Sequence, residues 1–156
     1  MELFKNKELL YEGIKSNLSL KHIKGVINVD FVGVDSFINL YQIYDGVKFL
    51  RGAMMFRNKF YDVLKGEWDK IEVEFFLTFK NIRELMEMTK ENNPDIYLLA
   101  QTHVPFADDG CGNTIWIEMS TGKIKVYYHE YELDKGLLTI APNFNSFCSS
   151  LENWVL

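Results

Sequence analysis

An alternating apolar pattern on both sides of a short turn is the strongest constraint on the fold of this chain. Apolar residues occupy every second position in 115–119 and again in 124–128, and Ser120-Thr121-Gly122 separates the two stretches. A period of two is typical of a strand with one buried face. Two such strands around a glycine-containing turn predict a β-hairpin.

The same pattern limits the register of this hairpin. A slip of one residue would turn the apolar side of one strand to water, so the loop must hold an even number of residues. The pairs that we expect are Met119–Ile124, Ile117–Val126 and Ile115–Tyr128 on one face, and Glu118–Lys125 and Trp116–Tyr127 on the other. Opposite-charge and aromatic pairs each contribute roughly 0.2–1 kcal/mol. The face with Trp116 and Tyr127 is then either covered by another element or exposed for interaction.

Other periodicities predict helices and further strands around this hairpin. In the first part of the chain we expect a helix over 3–18, a loop or weak strand over 20–33, and a helix that Asp35 caps and Gly46 ends. The middle part should form strands 53–56 and 60–63 around a turn at 57–59, then a strand over 71–79 and a short helix that Asn81 caps. After a break at 92–95, the chain should end in a helix that Asn143 or Asn145 caps. Cys148 falls in the apolar stripe of the last helix, which predicts a core position. This order of elements is that of an α+β protein.

Length and charge narrow the class of protein. The 156 residues predict one domain over 1–156, and the net charge of −5 argues against a nucleic-acid binder, which usually has a basic excess. The net charge is +3 over 1–65 and −8 over 66–156, so the second half either steers a basic partner or simply keeps the chain soluble. Two cysteines cannot form a disulfide framework. The charged start and the lack of a run of roughly 20 apolar residues predict a cytoplasmic protein.

The Asp-Asp-Gly-Cys-Gly-Asn segment at 108–113 holds the residues most suggestive of chemistry. Its spacing fits neither an EF-hand loop nor a phosphate-binding loop, and the histidines and cysteines lack the spacing of a zinc site. A nucleophile pair of Cys111 with His103 or His129 has no orienting third group at a recognisable position. Aspartate, asparagine and glycine are the residues that build tight turns. We therefore expect a structural turn without metal or cofactor; the alternative is an enzyme or ligand site built from Asp108, Asp109, Cys111 and His129.

The run from Val104 to Asn113 resembles the signature of the SUKH superfamily, which includes Smi/Knr-type fungal cell-wall regulators and many bacterial proteins. The strand that follows, the glycine turn, and the ending from Ile140 to Phe147 fit the same family pattern. The resemblance covers roughly residues 34–152. The residues that carry the family motif are Pro105, Phe106, Ala107, Asp109, Gly110, Gly112, Asn113, Phe144 and Phe147.

This resemblance implies an α+β SUKH (Smi/Knr-like) fold in which the shared motif residues have architectural roles. It also implies function by binding, because bacterial members resemble immunity proteins that neutralise a cognate toxin delivered between competing cells. Such toxins are often nucleases with basic surfaces, which an acidic inhibitor would complement. We therefore expect a non-catalytic protein that binds a cognate toxin in the cytoplasm and contacts neither nucleic acid nor membrane directly. The alternatives are a regulatory scaffold for cellular partners, as the fungal members resemble, or a small-ligand or metal-dependent enzyme.

One sequence gives only a coarse indication of the binding residues. Exposed acidic and aromatic side chains of the second half are the natural candidates, because a basic partner would meet them. The candidate partner-binding residues are Trp116, Tyr127, Glu130, Glu132 and Asp134.

Overall fold

The described part of the chain, residues 2–155 of the computed structural model, is built around an eight-stranded antiparallel sheet. Strands β1 to β7 lie side by side in sequence order, and β8 pairs with β2 beyond the segment that β1 occupies. The elements are β1 (Tyr11–Lys15), α1 (Leu20–Val26), α2 (Val34–Ile43), β2 (Tyr44–Phe56), a 3₁₀ turn (Arg57–Lys59), β3 (Lys70–Phe76), α3 (Phe79–Met86), α4 (Pro94–Ala100), β4 (His103–Asp108), β5 (Thr114–Glu118), β6 (Ile124–Tyr127), α5 (Leu133–Gly136), β7 (Leu137–Ala141), α6 (Phe144–Ser150) and β8 (Glu152–Asn153). This is the α+β architecture that the sequence predicts.

Phenylalanine side chains from β3, β4 and α6 meet in the main core, where one face of the sheet packs against helices. The ring of Phe106 lies 5.3 Å from that of Phe76, and 5.2 and 5.4 Å from those of Phe144 and Phe147. All four side chains are at most 2% exposed. Aromatic pairs at these separations add to the stabilisation that burial alone provides. The cluster therefore fixes α6 on the central strands.

The opposite face of β5 and β6 is covered by α4. Trp116 and Tyr127 are 0% and 3% exposed, because they pack in a second cluster with Ile96, Leu99 and Ala100. Asn93 begins the helix by accepting a hydrogen bond from the Ile96 amide, and Pro94 takes the first helical position, where its missing N–H is harmless. Of the two alternatives for this face, the covered one is found.

The predicted hairpin is present, but its predicted register is wrong by two residues. Ile117 pairs with Ile124, and Ile115 pairs with Val126, whereas the alternation suggested partners further along β6. The prediction that the loop holds an even number of residues is confirmed, because a shift of two residues keeps every side chain on its own face of the sheet. Ile115, Ile117, Ile124 and Val126 are all buried in the main core.

The loop of this hairpin is longer than predicted because Met119 does not pair with Ile124. Its amide donates to the carbonyl oxygen of Thr102 at 2.9 Å, outside the hairpin. Gly122 closes the loop with φ of 78°, and a Cβ at that position would lie 2.7 Å from a backbone oxygen. The predicted contact between Glu118 and Lys125 exists as an ion pair between diagonal neighbours.

The first 33 residues differ most from the sequence prediction. Residues 11–15 form edge strand β1, paired with β2, rather than part of a helix over 3–18. Helix α1 begins at Leu20, where the sequence favours a loop or weak strand, and Ser19 caps it by accepting from the His22 amide. Local spacing indicated the wrong structure here because pairing with a distant strand decides the conformation of a short amphipathic segment.

Strand β2 begins before the predicted end of the second helix. Helix α2 ends at Ile43, so Gly46 lies inside β2 with φ of 95° and does not end the helix. A Cβ at Gly46 would lie 3.2 Å from the Phe76 carbonyl oxygen, which shows why glycine is needed beside β3. Gly33 occupies the N-cap position that we assigned to Asp35, which lies in the first turn.

The chain after β2 turns away from the sheet instead of forming the predicted hairpin. Arg57–Lys59 is a 3₁₀ turn, residues 60–63 are not a strand, and the chain rejoins the sheet at Lys70. The buried Arg57 donates from Nε to the Thr139 carbonyl and from Nη1 to the Trp68 carbonyl, each at 3.0 Å. These bonds tie the end of β2 to β7 and hold the following loop.

Side-chain caps set the bounds of the later helices. Thr78, rather than Asn81, caps α3 by accepting from the Asn81 amide, so β3 ends earlier than predicted. Asn143 caps α6 through the Ser146 amide, as predicted. Cys148 is buried in the core, and burial raises the pKa of its thiol. None of the described helices combines the length and hydropathy that a membrane span requires.

Candidate protein-binding surface

The Asp–Gly segment between β4 and β5 directs its carboxylates to its own backbone. One carboxylate oxygen of Asp109 accepts from the amides of Cys111 at 2.8 Å and Asn113 at 3.1 Å, and the other accepts from Asn113 Nδ2 at 2.7 Å. Asp108 accepts from the Gly110 amide at 2.6 Å. Gly110 has a positive φ of 87°, which glycine adopts without strain. These contacts support the interpretation of the segment as a structural turn.

The remaining motif residues lie in the core or beside the turn. Ala107 is fully buried next to Phe106, and Pro105 pairs with Trp116 where β4 has an irregular register. Gly112 also has positive φ, and a Cβ there would lie 3.2 Å from the His129 ring. The motif thus ends β4, turns the chain and supports the aromatic core.

The residues of the enzyme alternative are brought together only in part. His129 Nε2 lies 3.0 Å from the carbonyl oxygen of Cys111, and the His129 amide donates to Asn113 Oδ1, so the histidine braces the turn. His103 lies at the other end of β4, beside Glu118. Burial raises the pKa of Asp108, against the opposing effect of amide hydrogen bonds. Within residues 2–155, no three His, Cys, Asp or Glu side chains are grouped as metal ligands.

The predicted partner-binding residues separate into two groups. Trp116 and Tyr127 were wrong choices, because α4 covers both side chains and Tyr127 donates its hydroxyl to Asp95 at 3.0 Å. The three acidic candidates, Glu130, Glu132 and Asp134, are exposed between β6 and β7. Of the five candidates, only the three acidic side chains are accessible to a partner.

The exposed aromatic residues lie next to these acids. The Trp68 ring is 4.1 Å from that of Tyr128 and 5.6 Å from that of Tyr131. Trp68 and Tyr131 are 43% and 47% exposed, so both rings are accessible from solvent. Sequence reasoning missed Trp68, although its place in a polar stretch outside any apolar periodicity was a usable signal.

A groove on β2 and β3 adds carboxylates to this region. About 270 Å³ in volume, it is lined by Glu72, Glu74, Asp109, Arg51 and Trp154, among others. In the part of the chain that the structure describes, neither Glu72 nor Glu74 forms an ion pair. We call the groove carboxylates and the neighbouring rings together the acidic–aromatic surface; its members are Glu72, Glu74, Asp109, Trp68, Tyr128 and Tyr131.

The acidic side chains and the rings share one electrostatic environment. Burial, followed by the negative charge of Asp109, raises the pKa of Tyr128 to about 12; Glu72 adds to this effect and Arg57 opposes it. Lys70 adds one positive charge at the edge of the groove, where its Nζ lies 3.6 Å from the centre of the Trp154 ring and donates to the Val155 carbonyl. The surface therefore presents negative charge beside exposed aromatic rings.

A buried histidine away from this surface predicts a pH dependence of stability. His103 is 5% exposed, and its Nε2 has no hydrogen-bond partner within residues 2–155. Burial, then Lys125, lowers the pKa of His103, although Glu118 and a backbone bond to Leu99 oppose the shift. The unfolded chain therefore binds a proton near pH 6.5 that the folded chain binds only at lower pH. Stability should fall as the pH drops below about 6.5, by at most about 1.4 kcal/mol per pH unit.

Urea unfolding of the wild type and of His103→Gln between pH 7.5 and 5.5 measures this effect. The unfolding free energy of the wild type should fall relative to that of His103→Gln toward low pH, because only the wild type carries the titrating ring. A difference that stays constant over this range would contradict the lowered pKa.

The similarity of this chain to known proteins lies at the level of a family. Residues 35–150 match the model of the SMI1 / KNR4 family (SUKH-1), a span that begins in the first turn of α2 and includes the turn between β4 and β5, and α6. No curated protein and no solved structure matches the chain. Because the matched span covers well over half of the sequence, the chain belongs to the SMI1 / KNR4 family (SUKH-1).

Proposed function

We propose that this chain is a non-catalytic immunity protein that binds a cognate protein toxin in the cytoplasm and neutralises it. Family membership carries the proposal, because SUKH-1 membership is consistent with an immunity-protein-like binding module. The acidic–aromatic surface supports it, because exposed tryptophan and tyrosine are enriched at protein interfaces.

The charge of this surface favours a toxin with a basic face, such as a nuclease. Glu130, Glu132 and Asp134 are exposed beside Tyr131 and extend the negative region. Complementary charge mainly raises the association rate and excludes partners of the same sign. An immunity protein benefits from both effects, since it must capture a toxin before the toxin acts.

The geometry of the turn gives less support to an enzyme. Asp109 uses both carboxylate oxygens in hydrogen bonds within the turn. His129 Nε2 meets the Cys111 carbonyl. A nucleophile would need the histidine beside the thiol itself.

Co-expression with the product of a neighbouring toxin gene tests the proposal. We expect a stable complex that buries roughly 1,600 Å² in total, and growth of cells that the toxin otherwise kills. Cys111→Ala is the matched control for the enzyme alternative and should protect as well as the wild type. Failure of the wild type to bind or protect against any such toxin would contradict the proposal and favour a regulatory scaffold. Loss of protection in Cys111→Ala, with binding retained, would favour catalysis.

A further inference from the structure

The two faces of β3 differ in exposure around the groove. Ala53 and Val73, which pair across β2 and β3, are buried in the main core. Glu72, on the other side of β3, is exposed, and Arg51 beside the groove is exposed as well. This part of the sheet presents polar side chains around a depression rather than an apolar face for a further helix.

Gly52 lines this depression, and Gly110 lies beside Glu74 at its edge. A Cβ at Gly110 would lie 3.4 Å from Glu74 Cβ, and one at Gly52 would lie 3.4 Å from Glu74 Oε2. Both glycines have positive φ, which other residues adopt only with strain. The half-buried Glu74 side chain lies beside both of them.

Three carboxylates and one guanidinium line the groove, and the Lys70 ammonium lies over the Trp154 ring at its edge, so one net negative charge remains. Asp109 accepts the hydrogen bonds of the turn with both carboxylate oxygens. Glu72 and Glu74 form no ion pair in the described residues. Arg51 is the single basic side chain among the lining residues.

The aromatic part of the surface adds a second type of contact. Trp68 and Tyr131 expose nearly half of their surface, and their rings are 71° apart, so they present differently oriented faces. A guanidinium group stacks on such rings while its N–H groups remain able to pair with carboxylates. An ammonium group lacks the planar shape that this combination uses.

We propose that the acidic–aromatic surface binds an arginine-bearing segment of a protein partner, with guanidinium groups paired to Glu72 and Glu74 and stacked on Trp68. The proposal rests on the proposed function, because it assigns a chemical class to the partner of that binding module. A nucleic acid does not fit, since its phosphates would be repelled by the same carboxylates.

A peptide titration tests the surface without knowledge of the toxin. The probe is a short peptide with four arginines separated by glycines, added to the ¹⁵N-labelled full chain at 50 mM salt and observed by NMR. Shifts should concentrate at the Trp68 indole and at the amides of Glu72, Glu74, Gly110 and Tyr131. A matched peptide with four lysines should bind several-fold more weakly, since it pairs but does not stack.

Two variants and one control locate the contact. Glu72→Gln with Glu74→Gln, and separately Trp68→Ala, should each raise the Kd of the arginine peptide about tenfold. Asp30→Asn with Asp35→Asn removes the same charge beside α2, away from the groove, and should change the Kd less than about twofold. Circular dichroism and thermal unfolding establish that each variant is folded; if Trp68→Ala is not, the glutamine variant alone decides.

Several results would overturn the proposal. The arginine peptide could fail to bind, or its NMR shifts could spread evenly over the chain. The aspartate control could lose as much affinity as the glutamine variant. The chain could also form a dimer that the glutamine substitutions dissociate. The last outcome would assign the surface to a second copy. If a toxin binds and the glutamine and Trp68 variants retain full affinity for it, this surface is excluded while the proposed function stands. If no toxin binds, the proposed function fails, and the peptide titration still decides whether the surface recognises arginine.

Discussion

Replacing Phe106 with alanine is expected to lower the free energy of unfolding by about 3–5 kcal/mol, the range for a fully buried phenylalanine. The side chain is 0% exposed, and its ring contacts three others between 5.2 and 5.4 Å away. Those rings belong to β3 and α6, so the cavity would open where a helix meets two strands. Neighbouring phenylalanines cannot close it without moving their own elements.

Urea unfolding followed by tryptophan fluorescence and by circular dichroism measures this loss. Leu98→Ala is the control, because Leu98 is 54% exposed on α4 and its truncation should change stability by no more than about 0.5 kcal/mol. A loss below about 1 kcal/mol for Phe106→Ala would show that this ring is not central to the core.

Replacing Asp109 with alanine is expected to lower the free energy of unfolding by about 2–3 kcal/mol. Its carboxylate accepts three hydrogen bonds that hold the turn between β4 and β5, and partial exposure to solvent limits the value of each. Asp109→Asn should lose clearly less, because an amide oxygen can still accept from the Cys111 and Asn113 backbone amides. The pair of variants separates the hydrogen bonds of the turn from its negative charge.

The same unfolding measurement compares the two Asp109 variants with the wild type. Equal stability of all three proteins would contradict a structural role for the carboxylate and would revive the enzyme alternative. Equal loss in the alanine and asparagine variants would show that charge, not hydrogen bonding, stabilises the turn.

The hairpin of β5 and β6 was the part of the fold that the sequence predicted best, whereas β7, which pairs with β6, was missed. Its alternation of apolar residues identifies which side chains face the core, since a period of two depends only on the strand itself. The register was beyond this reasoning because the Met119 amide bonds to Thr102, outside the hairpin. A contact between distant residues does not alter the local periodicity of apolar residues along a strand.

The acidic part of the candidate surface was predicted in part from charge, but its aromatic part was not. Glu130, Glu132 and Asp134 are exposed as expected, whereas Glu72 and Glu74 were not among the candidates. Trp116 and Tyr127 were misassigned because the pattern shows that two aromatic residues share a face, but not that α4 will cover it. Trp68 could be connected to this region only through contacts with residues far along the chain.

Strand β2 can complete its pairing only late in biosynthesis. Its partners are β1, β3 and β8, which together run from residue 11 to residue 153. Arg57, which follows β2, cannot form its hydrogen bond to the Thr139 carbonyl until 82 further residues have been synthesised. Sequence separations of this size slow folding, because the loops must close before the contacts stabilise them. The sheet is thus completed only after residue 153 has left the ribosome, and until then part of β2 lacks a hydrogen-bonding partner.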